Sequence, residues 1–119
     1  IPYPFIPVFV SRGAHRPPEL TQMLLDTGAD CSILPLEDAA GLGLRSSDMV
    51  LQRTVGIGGS VTGWSAKNAG IVGRIGIYDV PFPELQLIRN ALPILGRDAL
   101  FGRLELKMNR DEIELREIH

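Results

Sequence analysis

An apolar run that ends on an acid is the feature that most limits what this chain can become. Met23-Leu24-Leu25 is a short, continuous hydrophobic stretch of the kind that a strand buried on both faces requires. Asp26-Thr27-Gly28-Ala29-Asp30 then interrupts it with turn-forming residues, and Ile33-Leu34-Pro35 resumes and closes the apolar pattern. A carboxylate is thereby delivered at the end of a buried strand, where Gly28 lets the backbone bend sharply and be approached closely. Such a group costs free energy unless it has a partner or a task. It could equally be a helix N-cap or a turn-former, so the pentapeptide alone leaves structure and chemistry both open.

The rest of the chain narrows the choice. Its 119 residues suffice for one domain, spanning 1–119, with a modest core. Thirteen glycines and nine prolines among many Val and Ile residues favour a β-rich domain with many turns. The formal net charge is -2 with the signs interspersed, which argues against nucleic acid or a membrane surface as partner. Cys31 is the only cysteine, so no intrachain disulfide can form and a reducing compartment is acceptable. No apolar run approaches the roughly 18 residues that cross a bilayer, and no signal peptide is readable. The expectation is a cytoplasmic protein or a product processed from a larger precursor, and the start at Ile1 rather than Met is in keeping with the latter.

Taken in order, prolines at positions 2, 4 and 7 make the beginning an edge or an arm. Phe5 to Val10 and Glu19 to Leu25 read as two strands of a hairpin. Ser32 to Leu34 is a short strand, and Leu36 to Leu42 has the pattern of a short helix with Pro35 at its start and acids in its first turn. Met49 to Val55 and Val61 to Ala66 flank the glycines Gly56, Gly58 and Gly59 as a second hairpin. Ala69 to Tyr78 reads as one strand, Val80 to Pro83 as a turn and Leu85 to Ile88 as a strand. After the apolar run Leu92 to Leu95, Arg97 to Arg103 is predicted to form a helix of about two turns. Leu104 to Met108 and Glu112 to Leu115 form a closing hairpin.

Three features therefore stand in a fixed order: an apolar strand ending in Asp-Thr-Gly-Ala-Asp (26 to 30), a glycine-tipped hairpin (Gly56-Ile57-Gly58-Gly59), and Ile-Leu-Gly-Arg-Asp (94 to 98) opening a short helix. In this combination the chain resembles the retroviral-type aspartic proteases, the retropepsin family, over nearly its whole length. The resemblance implies a closed β-barrel with a β-hairpin flap and one short C-terminal helix. It implies that Asp26 is catalytic and that the Thr27 hydroxyl braces the two active-site loops of a dimer against each other. By the same resemblance Gly28, Ala29 and Asp30 meet substrate backbone, and Gly56 to Gly59 form the flap tip, with the Ile57 N–H reaching substrate carbonyls through a water. Gly96 and Arg97 support the site, Arg97 by pairing with Asp30. The Pro35 to Leu44 insertion and the long tail after Phe101 lean toward cellular, bacterial or transposon-derived members rather than viral ones.

Peptide hydrolysis of this kind needs two carboxylates at one water, one ionised to take a proton and one protonated to donate to the carbonyl oxygen. The chain holds a single Asp-Thr-Gly and no internal repeat. The second carboxylate must then come from a second copy across a two-fold axis, so the expected unit is a homodimer acting on an extended peptide or protein. No cofactor is called for. His15 and His119 are too isolated to suggest a metal site, Cys31 reads as a small buried hydrophobe, and Trp64 reads as flap packing. The competing reading is a retropepsin-like dimerisation or peptide-binding module with little or no catalysis, since a fold permits both. A phosphate loop at Gly56-Ile57-Gly58-Gly59 is disfavoured, because the strand-to-helix context and the Lys-Ser/Thr are missing.

Overall fold

The computed structural model describes residues 5–13, 18–26, 28–56, 59–100, 104–108 and 113–117. Strict alternation builds the first hairpin. In β1 (Phe5–Arg12) the side chains of Ile6, Val8 and Val10 are buried, while Phe5, Pro7 and Phe9 face outward. β1 pairs antiparallel with β2 (Glu19–Leu25), Phe5 opposite Leu24 and Val10 opposite Glu19. β1 also pairs with β6 (Ile71–Ile75), but only from Phe9 to Arg12. Pro7 thus lies where β1 has a neighbour on one flank only, which is where a strand tolerates proline.

The centre of the sheet is the part that positions a site. β9 (Ile94–Leu95) is only two residues long and is inserted between β2 and β3 (Ile33–Pro35). It runs parallel to β2, with Leu24 opposite Ile94 and Leu25 opposite Leu95, and meets β3 antiparallel at Ile33. The end of β2 and the beginning of β3 are therefore held on either side of the segment leading into α1 (Arg97–Leu100). β3 continues parallel to β8 (Glu84–Ile88).

β4 (Val50–Gly56) and β5 (Gly59–Lys67) form a long hairpin whose innermost pair is Gly56 and Gly59. Only the base of β5, from Trp64 to Lys67, also pairs with β8. Trp64 packs against the core there, at the level where the hairpin leaves the sheet. Beyond it the hairpin has no other strand beside it among the described residues, and Val61 is exposed there, as are Val50 and Leu51 on the outer strand at the base. β7 (Tyr78–Pro81) pairs with β6. The nine strands run in the order β4-β5-β8-β3-β9-β2-β1-β6-β7, curled as a half-barrel with β4 and β7 at its ends. β10 (Leu104–Met108) and β11 (Ile113–Glu117) make a separate two-stranded sheet.

The fold is thus all-β with one short helix near the C-terminus, as the sequence predicts, and among the described residues its sheet curls as a half-barrel where the resemblance implies a closed barrel. Two local expectations are corrected. Ile71 to Pro81 is a hairpin, where one strand followed by a turn was expected, because Gly76 takes φ 60° and Ile75 pairs with Tyr78. The Leu36 to Leu42 helix is a 3-10 turn at Leu36–Asp38 followed by further turns, with only Ala39 and Leu42 offering it buried apolar contacts. The expected Arg97 helix is present over Arg97–Leu100, and 101–103 lie outside the described residues.

The core clusters Ile6, Val8, Met23, Leu34, Leu87 and Leu95 with Phe82 from the far edge, each contributing about 1.5–3 kcal/mol by burial. Arg12, at the end of β1, ties the loop before β4 to this body. Its guanidinium donates to Ala69 O at 2.9 Å and Gly43 O at 2.8 Å and pairs with both oxygens of Asp48 at 3.0 and 3.2 Å.

Candidate active site

Asp26 follows the last residue of β2, and its backbone N–H donates to Leu95 O at 3.1 Å, which extends the contact with β9 by one residue. The chain then turns: Ala29 N–H donates to Asp26 O at 3.2 Å. Inside this turn the Gly28 N–H donates to Asp26 Oδ1 at 2.9 Å. A backbone donor thus aims a half-buried carboxylate. A Cβ on Gly28 would stand 3.2 Å from the same oxygen, so a side chain there would crowd the carboxylate.

The opening of α1 grips the far side of the turn. The first N–H groups of a helix have no partners within it, and here the turn supplies them. Arg97 N–H donates to Ala29 O at 2.9 Å and Asp98 N–H to Asp30 O at 3.2 Å. The approach is so close that a Cβ on Gly96 would fall 2.5 Å from Cys31 O and 2.6 Å from Cys31 C, so only glycine fits. Outside, the Arg97 guanidinium forms an ion pair with the Asp30 carboxylate. Their side chains are 48% and 78% exposed, which limits the pair to about 1 kcal/mol or less.

Of the residues predicted for the site, Asp26, Gly28, Ala29, Asp30, Gly96 and Arg97 are brought together in this one junction. Gly56 and Gly59 sit at the far end of the β4–β5 hairpin. Thr27, Ile57 and Gly58 lie outside the described residues. Around the junction Ile33 and Ile94 are half-buried, while Val61 on the hairpin and Leu92 before β9 are exposed. Cys31 is half-buried rather than buried; burial, then the nearby Asp98 carboxylate, push its thiol above the ordinary value, so it stays protonated at neutral pH.

Sequence reasoning missed Ser32. It is fully buried, the one buried polar side chain among the described residues. Its Oγ accepts from Gly96 N–H at 3.0 Å and donates to Asp98 Oδ1 at 2.8 Å. Nothing in the sequence around Ser32 marks it, because both partners lie more than sixty positions away (64 and 66). The cavity lined by Arg12, Gly43, Arg45 and Asp48 contains no residue of the Asp26 turn, and the Arg12 guanidinium there is already engaged as a clamp.

The family described as aspartyl protease has a sequence model that matches residues 19–99, more than half of the chain, from the first residue of β2 into α1. No curated protein matches the chain.

Proposed function

The chain belongs to the aspartyl protease family, and from that premise we propose that it is an endopeptidase whose working unit is a homodimer with one Asp26 from each copy at a shared water. The observation that carries this reading is the Asp26 turn itself. A carboxylate is held at the exit of a core strand, aimed by the Gly28 N–H and braced from behind by the start of α1. Framing of this kind is what a group needs when it must meet a reacting atom in fixed geometry.

One chain supplies one such carboxylate, and Asp38, Asp48, Asp79, Asp98 and Asp111 lack the strand–Asp–Thr–Gly setting. A second copy related by a two-fold axis completes the pair. Two carboxyls in contact cannot both ionise cheaply, so they share a proton, the established behaviour of paired aspartates in aspartic proteases. The ionised Asp26 takes a proton from the water as the water attacks the scissile carbonyl. The protonated Asp26 of the other copy donates to the carbonyl oxygen, giving a tetrahedral intermediate with no covalent link to the protein. In this reading Thr27 braces the two turns, and Ala29 and Asp30 meet the substrate main chain. The tip from Gly56 through Ile57 and Gly58 to Gly59 closes over an extended peptide and adds strand-like hydrogen bonds. Gly96 and Arg97 hold the turn.

The test is cleavage of a mixed peptide library at mildly acidic pH by the wild type beside Asp26→Asn, read by mass spectrometry. Cleavage by the wild type alone is expected, together with a loss of specific activity on dilution as dimers dissociate. Equal cleavage by both removes Asp26 from the mechanism. No cleavage by a sample shown to be dimeric removes the endopeptidase reading.

A further inference from the structure

The Asp26 turn is tied to α1 by an exposed link and a buried one. The exposed link, Arg97 to Asp30, is the one that the motif announces. The buried link runs from the Gly96 N–H to Ser32 Oγ and continues through a half-buried bond to Asp98 Oδ1. Two facts about it call for an explanation. Ser32 is completely enclosed, where an alanine would remove the cost of burying a hydroxyl. Asp98 Oδ2 is also buried and has no hydrogen-bond partner among the described residues. A carboxyl group with one oxygen left unpaired in the interior is a costly anchor, and native structures keep few of them.

The bonds around the pair say where its effect goes. Ser32 Oγ fixes Gly96, the residue before α1, and Asp98 is the second residue of that helix. Between them Arg97 donates its N–H to Ala29 O, and Ala29 N–H donates to Asp26 O. The Gly28 N–H inside that turn is the donor that aims Asp26 Oδ1. A change at Ser32 or Asp98 therefore reaches the Asp26 carboxylate through backbone alone.

We propose that Ser32 and Asp98 are positioning residues for Asp26: their hydrogen bond, continued by the buried one from the Gly96 N–H, fixes the start of α1 against the turn and so fixes the direction of the Gly28 N–H and the carboxylate it holds. The inference rests on the reading of Asp26 as the catalytic carboxylate. Neither side chain touches substrate or the reacting atoms. Their contribution is to turnover, because a misplaced carboxylate slows the chemical step without altering how the peptide is bound.

Ser32→Ala, Asp98→Ala and Asp98→Asn, each checked for folding and dimerisation, test this with two readouts. The first is steady-state cleavage of a peptide substrate. Ser32→Ala and Asp98→Ala are expected to lower kcat about tenfold or more with KM changed by less than about twofold, and Asp98→Asn, which keeps the Oδ1 acceptor, to restore most of it. The second is the Gly28 amide proton resonance, which reports the hydrogen bond to Asp26 and needs no activity. It is expected to move upfield in both alanine variants and to return in Asp98→Asn. Wild-type kcat with an unmoved Gly28 resonance in a folded alanine variant overturns the proposal, as does a loss confined to KM. If Ser32→Ala does not fold, the two Asp98 variants make the same comparison. If the wild-type dimer cleaves nothing, the endopeptidase reading falls, and the Gly28 resonance alone decides whether the pair positions Asp26.

Discussion

Two junctions of this sheet, the turn after β2 and the end of β1, are fastened by different means. At the Asp26 turn the fastening is mostly backbone on backbone: Arg97 and Asp98 amides on the Ala29 and Asp30 carbonyls, with Gly96 pressed against the Cys31 peptide. At the end of β1 it is a side chain, Arg12, that reaches two carbonyls and the Asp48 carboxylate, 36 positions away. Backbone contacts fix atoms to within tenths of an ångström and do not depend on protonation. A charged side chain spans a wider gap but answers to pH. The first kind sits at the turn that carries Asp26, and the second where a loop is tied to the end of a strand.

If that contrast is right, the largest effect of any single methyl group falls at the turn. Gly96→Ala puts a carbon 2.5 Å from Cys31 O, a backbone atom that cannot swing aside. It is expected to cost about 3 kcal/mol or more in urea unfolding and to abolish peptide cleavage. Gly73→Ala is the control. Its Cβ would meet Phe82 and Val8 side chains at 2.7 to 2.8 Å, which can yield by rotation, so the loss is expected to be smaller. Equal losses would erase the distinction between backbone and side-chain contact.

Next comes Arg12→Met, which keeps much of the aliphatic bulk and removes the donors. Ala69 O and Gly43 O lose their Arg12 partner in a half-buried setting, for an expected cost of about 1–2 kcal/mol, or a fall in Tm of roughly 5–10 °C. Arg97→Met is expected to cost less than about 1 kcal/mol, because its ion pair is exposed and the backbone bonds on either side survive it. A larger loss for Arg97 than for Arg12 would reverse the ranking of the two clamps.

That ranking also explains what could be read from the sequence. β2 was legible residue for residue at Glu19–Leu25, and the Gly56–Gly59 hairpin and the Arg97 helix start were legible too, because apolar period and glycine punctuation are local signals. The Asp30–Arg97 pair was legible because both members sit inside short motifs. Arg12–Asp48 and Ser32–Asp98 were not, since neither spacing nor composition brings those partners together; the sheet topology does. The hairpin at Ile71 to Pro81 was missed for a different reason. Gly76-Ile77 continues the alternation of the strands around it, and the strand residue Ile75 is buried while Ile77 is 79% exposed at the bend.

The smallest effects are those of pH, and they separate the two kinds of fastening most cleanly. The hydrogen bonds from Arg12, then that from the Arg45 N–H, hold the Asp48 carboxyl below its usual value of 3.8. A lowered value in the folded state means stability that is present above pH 3.8 and is lost as pH falls toward the folded value. Asp38 behaves in the opposite sense. Burial first, then Glu19 and Glu37, raise its carboxyl above 3.8, so its contribution is most favourable in acid and is lost as pH rises through the raised value. Thermal melting across pH should therefore show Asp38→Asn closest to wild type at low pH and gaining on it as pH rises. Asp48→Asn should melt below wild type at neutral pH and converge with it below pH 3.8. An Asp48→Asn curve parallel to wild type through that range would mean that the Arg12 clamp holds its loop by the carbonyls alone. The loop before β4 would then be fastened to the body without any contribution from the Asp48 charge.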